Sequence, residues 1–569
     1  MKMSGAQAIV NCLLEQGVST VFGYPGGSIL PLYDALYQGP IHHVLTVHEQ
    51  GAVHAADGYA RASGKAGVCL ATSGPGATNL ITGLATAYLD SVPVIAITGQ
   101  VGTAFIGRDS FQETDMVSLT LAITKHNFLV TKPQNLVPTL RRAFTIALSG
   151  RPGPVLIDIP VDIQKCEVDW EPLPQEKFIQ QEQGMDGAEK NLQEGLDKAE
   201  SDVSPDLFQA INIIEAASQP VILVGGGVIR GNATAAVADF SRKYQAPIVA
   251  TLMGIGAVPS SQETFLGLTG LHGHKQANRA IQEADLLIAI GCRFSDRLTG
   301  KASGYHRNKK VIHIDIDQTE LDKNVAITVG LAGPIEPILN ELCRKIAARK
   351  FDAWRQRVTS WQEISIEYDS DSLSASQVFQ YLNKVRQGKE TLYVTDVGQN
   401  QMWAAQNLKI EKPRQWITSG GFGTMGFGLP AAIGAAFACP NTDIIHLAGD
   451  GAFKMTGTEW FTAVREGKRL ISIIFDNGCL GMVRQLQTLF YEERYAETTI
   501  GSFDFQQFVG ACGVTSAFVK TLDEFAAAYE QAQQQTRGMV IIVKIPPEEL
   551  VFPMLRPGGA LGEYVEVSY

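Results

Sequence analysis

The sequence predicts an α/β protein of three doubly wound parallel-sheet domains, and three observations carry that prediction. Short apolar runs alternate with helix-like segments along most of the 569 residues, the pattern of repeated β-α-β units. Two polar stretches, 165–205 and 344–367, cut the alternation into three blocks. The first block, over 73–99, and the third, over 420–449, each contain a Gly-rich loop, an Ala-rich helix and a strand ending on glycine. Their letters differ, so the repeat is one of architecture.

In order, residues 1–165 hold strands at 68–71, 94–98 and 155–159, with a helix over 50–62. Residues 166–205 read as a solvated linker, because 180–184 and 187–201 are rich in Gln, Glu, Asp and Lys. The second domain, 206–345, carries strands at 221–224, 248–250, 286–290 and 311–316. A charged linker, 346–371, leads into the third domain, 372–548, and 549–569 form a tail. In the third domain 444–448 reads as a buried strand, 458–466 as a helix with Trp460, Phe461 and Val464 on one face, and 470–475 as a second strand.

A net charge of -11 argues against nucleic acid, whose binders cluster basic surface. The 8 cysteines are dispersed without a CxxC pair, so neither a disulfide framework nor a thiolate metal site is expected, and a reducing cytoplasm suits them. Polar Gln7, Asn11 and Glu15 interrupt the N-terminus, and about 18 apolar residues nowhere run together, so no signal peptide or membrane span is expected.

The most informative motif is Gly449-Asp450-Gly451, with Asn477 27 positions beyond Asp450 inside Phe475-Asp476-Asn477-Gly478. A lone Gly-Asp-Gly is ordinarily a strand-to-helix turn with a solvated Asp. In a parallel β-α-β unit both strands end at one sheet edge, which would set Asp450 beside Asn477. Carboxylate and amide oxygens are hard ligands suited to Mg²⁺, which fills its octahedron with water and phosphate oxygens. The flanking glycines would let backbone N–H groups approach an anion.

This spacing resembles the thiamine diphosphate (ThDP) fingerprint. The segments 414–429 (RQWITSGGFGTMGFGL), 480–485 (LGMVRQ), 73–79 (SGPGATN) and 22–27 (FGYPGG) resemble acetohydroxyacid synthase, also called acetolactate synthase, over nearly the whole chain. The resemblance implies pyrimidine-binding, FAD-binding and diphosphate-binding domains in that order, and ThDP, Mg²⁺ and FAD as cofactors. Glu49, in a HEQGA motif, reads alone as a helix N-terminal residue. The family motif makes it the carboxyl that bonds the ThDP pyrimidine and moves its proton.

By the same resemblance Gly27, Phe111, Gln112 and Arg297 join Glu49 as catalytic-site residues, with Arg297 clamping a 2-oxo acid carboxylate. Val397, Gln399, Asn400, Gly423, Met425, Asp450, Gly451, Ala452, Asn477, Leu480, Gly481 and Met482 would hold ThDP together with Glu49 and Gln112. Gly423 would offer its carbonyl to the aminopyrimidine, and Met425 would wedge the cofactor into a bent form. The metal would take Asp450, Asn477 and the backbone carbonyl of Cys479. FAD would take Arg151, Gly225, Gly226, Gly227, Thr251, Leu252, Met253, Leu271, His272, Gly291, Arg293, Asp315 and Ile316. Three bare glycines alone are a weak nucleotide signal.

Several positions depart from the family. Leu486 stands where Trp is usual, Leu271 where Met is common, Val161 for Lys, Asn400 for His, Ser295 for the first Asp of an FDDR pattern, and Gly333-Pro334 for Gly-Asp. The expectation is a cofactor set left intact and a reduced preference for 2-oxobutyrate over pyruvate as acceptor. The implied activity is decarboxylation of pyruvate and condensation with a second 2-oxo acid, in branched-chain amino acid biosynthesis. The implied assembly is a homodimer or homotetramer, with room for a small regulatory subunit. Another ThDP decarboxylase or oxidase, or a non-catalytic paralogue, stays open.

Overall fold

In this computed structural model residues 1–172, 204–361, 372–501 and 503–565 are described. The polar runs 180–184 and 187–201 and the end of the charged stretch, 362–367, lie outside them.

Three six-stranded parallel sheets form the frame. In the first the spatial order is His42–Leu45, Thr20–Gly23, Gly67–Ala71, Val94–Gln100, Val155–Pro160, His126–Leu129. In the third it is Trp416–Ile417, Thr391–Thr395, Asp443–Gly449, Leu470–Asp476, Met539–Lys544, Thr515–Val519. Numbered along the chain, both sheets read 2-1-3-4-6-5. The architectural repeat seen in sequence is thus a repeat of topology. The middle sheet differs, running Phe265–Leu268, Ile248–Ala250, Pro220–Val224, Leu286–Ile290, Lys310–Asp315, Val329–Ala332, the 3-2-1-4-5-6 order of dinucleotide-binding folds.

Helices cover both faces of the first and third sheets, so their strand residues alternate between two cores, whereas the buried residues of the middle sheet form one cluster. In the first sheet Leu70, Ile95 and Ile97 pack on one side, and Cys69, Ala71 and Ala96 on the other. In the third, Ile445, Leu447 and Ile473 face one core, Ile444, Ala448 and Ile474 the other. The first strand residues of the expected linker, Glu167–Asp169, pair antiparallel with Lys2–Ser4.

The helix Glu49–Ser63 packs along Gly428–Ala438 and joins the first and third domains. Glycine makes that approach feasible: a Cβ on Gly434 would lie 1.8 Å from the Ala55 carbonyl oxygen, and one on Gly58 2.1 Å from that of Ala431. Buried Arg61 adds a charged link, reaching Asp57 at 2.5 Å and Asp90 at 2.9 Å, while Asp90 also accepts from Gly421 N–H at 2.7 Å.

One expectation needs correction. The segment after Asp450 is a helix, Asp450–Thr456, then a 3₁₀ turn, Gly457–Glu459, then Trp460–Arg465. Trp460 and Ala463 are buried, but Phe461 is 49% exposed, because it lies about 100° around the helix from Trp460.

Candidate active site

The register of the third sheet sets Gly449 opposite Phe475, so the chain leaves both strands at one edge. Asp450 opens the helix Asp450–Thr456 there, and its carboxylate accepts from Gly451 N–H at 2.9 Å and Gly478 N–H at 2.8 Å. Asn477 follows the neighbouring strand; its amide donates to Gln399 at 3.1 Å, and its oxygen accepts from Cys479 N–H. Burial, with Asp476 close by, pushes the Asp450 carboxyl up to about 7, so a cation here would be welcome. Burial also lifts the Cys479 thiol to about 11, which leaves that side chain protonated.

The turn at Gly451 fits a phosphate group. A Cβ there would fall 2.9 Å from Leu480 and 3.7 Å from the Met425 methyl, so two of the expected cofactor residues flank it, with Ala452 buried behind. Gly481 leaves room for the Gln399 side chain, whose oxygen would sit 1.9 Å from a Cβ. Asn400 donates to the carbonyls of Asp396 and Leu447, which leaves its own buried oxygen without a partner among the described residues, facing Gly449.

Glu49 begins the helix Glu49–Ser63, behind a His48 cap. One carboxylate oxygen accepts from the Asn79 amide at 2.9 Å, and Gly76 lies beneath the other. The turn at Gly74, which carries Gly76 onward to Asn79, packs against the backbone of Gln112, itself at φ 60. Phe111 is 87% exposed beside it, and Gly27 lies on a turn pinned by Ser28 N–H to Thr72.

The remaining residues line one cavity of about 1640 Å³ at the switch point of the middle sheet. Arg151, Gly226, Gly227, Thr251, Leu252, Met253, Leu271, His272, Gly291, Arg293, Asp315 and Ile316 all border it. Gly225 is set behind, its N–H bonded to Ile290. The same cavity reaches Arg297, Val397, Gly423, Met425, Met482 and Leu486, so the flavin and ThDP candidate sets meet in one space. That volume exceeds the usual 300 to about 1,000 Å³ of a single-ligand pocket. A dinucleotide and a substrate channel would fit together.

Charge along this cavity is mixed. Arg151 is engaged by Ser91, Asp317 and Glu320, whereas burial lowers the pKa of Arg293. Burial also holds His272 down to about 4 and raises Asp315 to about 6. Arg297 is 76% exposed and 3.8 Å from Asp296.

Four residues that sequence reasoning missed shape the site. Asp396 follows the first strand of the third sheet and accepts from Val397, Gly426 and Gly428 N–H at 2.7, 2.8 and 2.9 Å, fixing the loop of Gly423 and Met425. Asp90 holds the start of that loop. Glu459 accepts from Val47 and His48 N–H, seating the helix of Glu49. Arg230 lines the cavity next to Gly226, and burial lowers its pKa to about 9. The sole signal for Asp396 was its place before Val397-Gly398-Gln399; Asp90 and Glu459 act across hundreds of residues.

Comparison with known proteins agrees with three domains in this order. Residues 3–119 match the N-terminal TPP binding domain of thiamine pyrophosphate enzymes, 207–342 the central domain, and 396–543 the C-terminal TPP binding domain. The chain is 44% identical to the acetolactate synthase isozyme 2 large subunit of Escherichia coli, over 99% of this chain and 100% of that protein. It is 43% identical to a probable acetolactate synthase large subunit of Methanocaldococcus jannaschii, over 99% and 95%. It is 41% identical to the acetolactate synthase large subunit of Corynebacterium glutamicum, over 98% and 89%. A chain matched end to end at this identity, with all three domains in order, belongs to the thiamine pyrophosphate enzymes and, among them, to the acetolactate synthase large subunits.

Proposed function

We propose that this chain decarboxylates pyruvate and joins the remaining two-carbon unit to a second 2-oxo acid, giving 2-acetolactate and CO₂ when both are pyruvate. Asp450 beside Asn477, with Gly451 packed bare between Met425 and Leu480, is the observation that carries this reading. Bound thiamine diphosphate supplies a thiazolium carbon that adds to a ketone and accepts the electron pair released with CO₂.

The protein's part follows from its side chains. Asp450, Asn477 and the Cys479 carbonyl would hold Mg²⁺ against the diphosphate. Glu49, oriented by Asn79, would bond the pyrimidine and exchange a proton with it. Arg297 would take the substrate carboxylate, with Gly27, Phe111 and Gln112 closing the substrate side. FAD would occupy the middle-domain end of the cavity in a structural role, with Arg293 among the residues that would hold it. Leu486, in the wall shared with Met482 and Met554, offers less contact to the larger acceptor than an aromatic ring would.

The working unit in this reading pairs two copies. Glu459, at the far end of the segment that Asp450 opens, touches Val47 and His48, so a helix body separates Glu49 from its own chain's Asp450. Exposed Phe111 and Phe422 would be covered by the second copy. The relatives are named large subunits, which extends the reading to a small regulatory partner. Among the described residues no helix is long and apolar enough to cross a membrane, and a cytoplasmic setting suits the free thiols.

The test is product analysis. The purified chain with ThDP, Mg²⁺, FAD and pyruvate should release acetolactate and CO₂. Acetaldehyde alone would replace this reading with a decarboxylase, flavin reduction with an oxidase, and bound ThDP without turnover with a non-catalytic paralogue.

A further inference from the structure

The segment between Val101 and Thr114 carries Phe111 and Gln112, and both of its ends are tied to one side chain. Gln100 ends the strand Val94–Gln100 and is 3% exposed. Its amide oxygen accepts from Val101 N–H at 2.8 Å, and its amide nitrogen donates to the Thr114 carbonyl at 2.7 Å. The second amide hydrogen goes to Asp158 at 2.8 Å, and the other Asp158 oxygen accepts from the Thr98 hydroxyl at 2.7 Å. Thr98 and Asp158 face each other in the strand register, so the network stands on the sheet itself.

Every hydrogen-bonding group of the Gln100 amide is therefore used, and a fully satisfied buried network defines one geometry. Two further carboxylates fasten the segment: Asp162, outside it, accepts from Thr103 N–H at 3.1 Å, and Glu113, within it, accepts from Ser110 N–H at 2.9 Å. Gln112 then lies in left-handed backbone, φ 60, upon the Gly74 turn that leads to Asn79 and Glu49.

We propose that Gln100, locked by Asp158, is a positioning residue that sets the Phe111–Gln112 segment over the Glu49 end of the site, and so governs substrate affinity. This rests on the reading that Phe111 and Gln112 close the substrate side. Gln100 itself touches no reacting atom.

The experiment uses full-length holoenzyme and four variants. Gln100→Leu removes every Gln100 tie at similar volume, and Gln100→Leu/Asp158→Leu removes both polar side chains, so that the Asp158 carboxyl is not left buried without Gln100 if the single variant folds poorly, although the Thr98 hydroxyl then loses its acceptor. Asp158→Asn keeps an acceptor for Gln100, while its amide can donate to Thr98. Phe111→Ala tests the reading beneath. Expected for the two Gln100 variants is a pyruvate KM at least tenfold higher, kcat within about threefold, ThDP affinity lowered by no more than about threefold through Gln112, and amide exchange over 102–114 at least tenfold faster; Asp158→Asn should stay within about threefold on every measure. Wild-type KM and wild-type exchange in the double variant would overturn the proposal. So would a parallel loss of ThDP affinity, which would mark Gln100 as a general structural member. An unchanged KM in Phe111→Ala would remove the substrate role of the segment, while the exchange data would still decide whether Gln100 orders it.

Discussion

The Asn79 amide donates to the Glu49 carboxylate at 2.9 Å, across 30 residues of sequence. A hydrogen bond to a charged acceptor is worth about 1.5–3 kcal/mol. Asn79→Ala should therefore lower kcat by about ten- to a hundredfold while pyruvate KM changes little. Steady-state kinetics at saturating ThDP checks this, and a kcat within twofold of wild type would show that Glu49 needs no such support.

The separation of Glu49 from Asp450 within one chain predicts complementation. Glu49→Ala and Asp450→Ala chains should each be inactive, and mixing them should restore up to about a quarter of wild-type activity through hybrid sites. Differently tagged chains purified together provide the assay. Hybrid dimers with no recovered activity would place both residues in a site made by a single chain.

Asp396 predicts a dependence of stability on pH. Burial raises its folded-state carboxyl to about 6 from an ordinary 3.8, so the fold favours the neutral acid. The stability this gives is fully present below about pH 4 and is lost as pH rises through about 6, by about 3 kcal/mol. Asp396→Asn should flatten that slope, although it also gives up an acceptor for a backbone N–H. Urea unfolding of the cofactor-free protein between pH 4 and 7 measures the difference, and equal slopes in the two proteins would refute it.

The contact of Gly434 with Ala55 predicts a large effect from one methyl group. Gly434→Ala should cost about 3 kcal/mol or more, because a Cβ 1.8 Å from a backbone oxygen forces two helices apart. Gly510→Ala is the matched control: nothing lies within 4 Å of its Cβ position in the helix Phe505–Ala511. There the change should be neutral or stabilising by up to about 1 kcal/mol. Thermal melts of the two proteins that coincide would dispose of the idea.

Leu486 predicts acceptor choice. Leu486→Trp should raise the ratio of 2-aceto-2-hydroxybutyrate to 2-acetolactate about tenfold or more when both 2-oxo acids compete, as one side chain's contact is worth about 1–3 kcal/mol. Product ratios from a single competition mixture test this directly. No shift, with the variant folded and active, would mean that another wall residue sets the preference.

Much of this arrangement was legible because its signals are local. Asp450 and Asn477 each follow an apolar strand, so parallel topology alone brings them together, and the three blocks follow from apolar runs of ordinary strand length. Short edge strands were not legible. Phe265–Leu268 and Val329–Ala332 each contain a glycine and only a few residues, too little for periodicity. The assignment of Phe461 failed because neighbours in a helix point about 100° apart, a difference that an apolar count ignores. Asp90, Glu459 and Gln100 were invisible for another reason. Besides the side chains of Arg61, Thr462 and Asp158, their partners are backbone N–H groups or carbonyls, which carry no letter in a sequence, and for Asp90 and Glu459 those backbone partners lie more than 300 residues away.

The helix pair Glu49–Ser63 and Gly428–Ala438 meets backbone to backbone at Gly58 and Gly434, with no side chain between. Sliding motions between domains need side chains that can change rotamer as they pass. A seam without them has no such freedom, so the first and third domains should travel as a single block. Entry and exit of small molecules must then be managed at the periphery, by segments such as 101–114 and the tail that brings Met554 to the cavity wall.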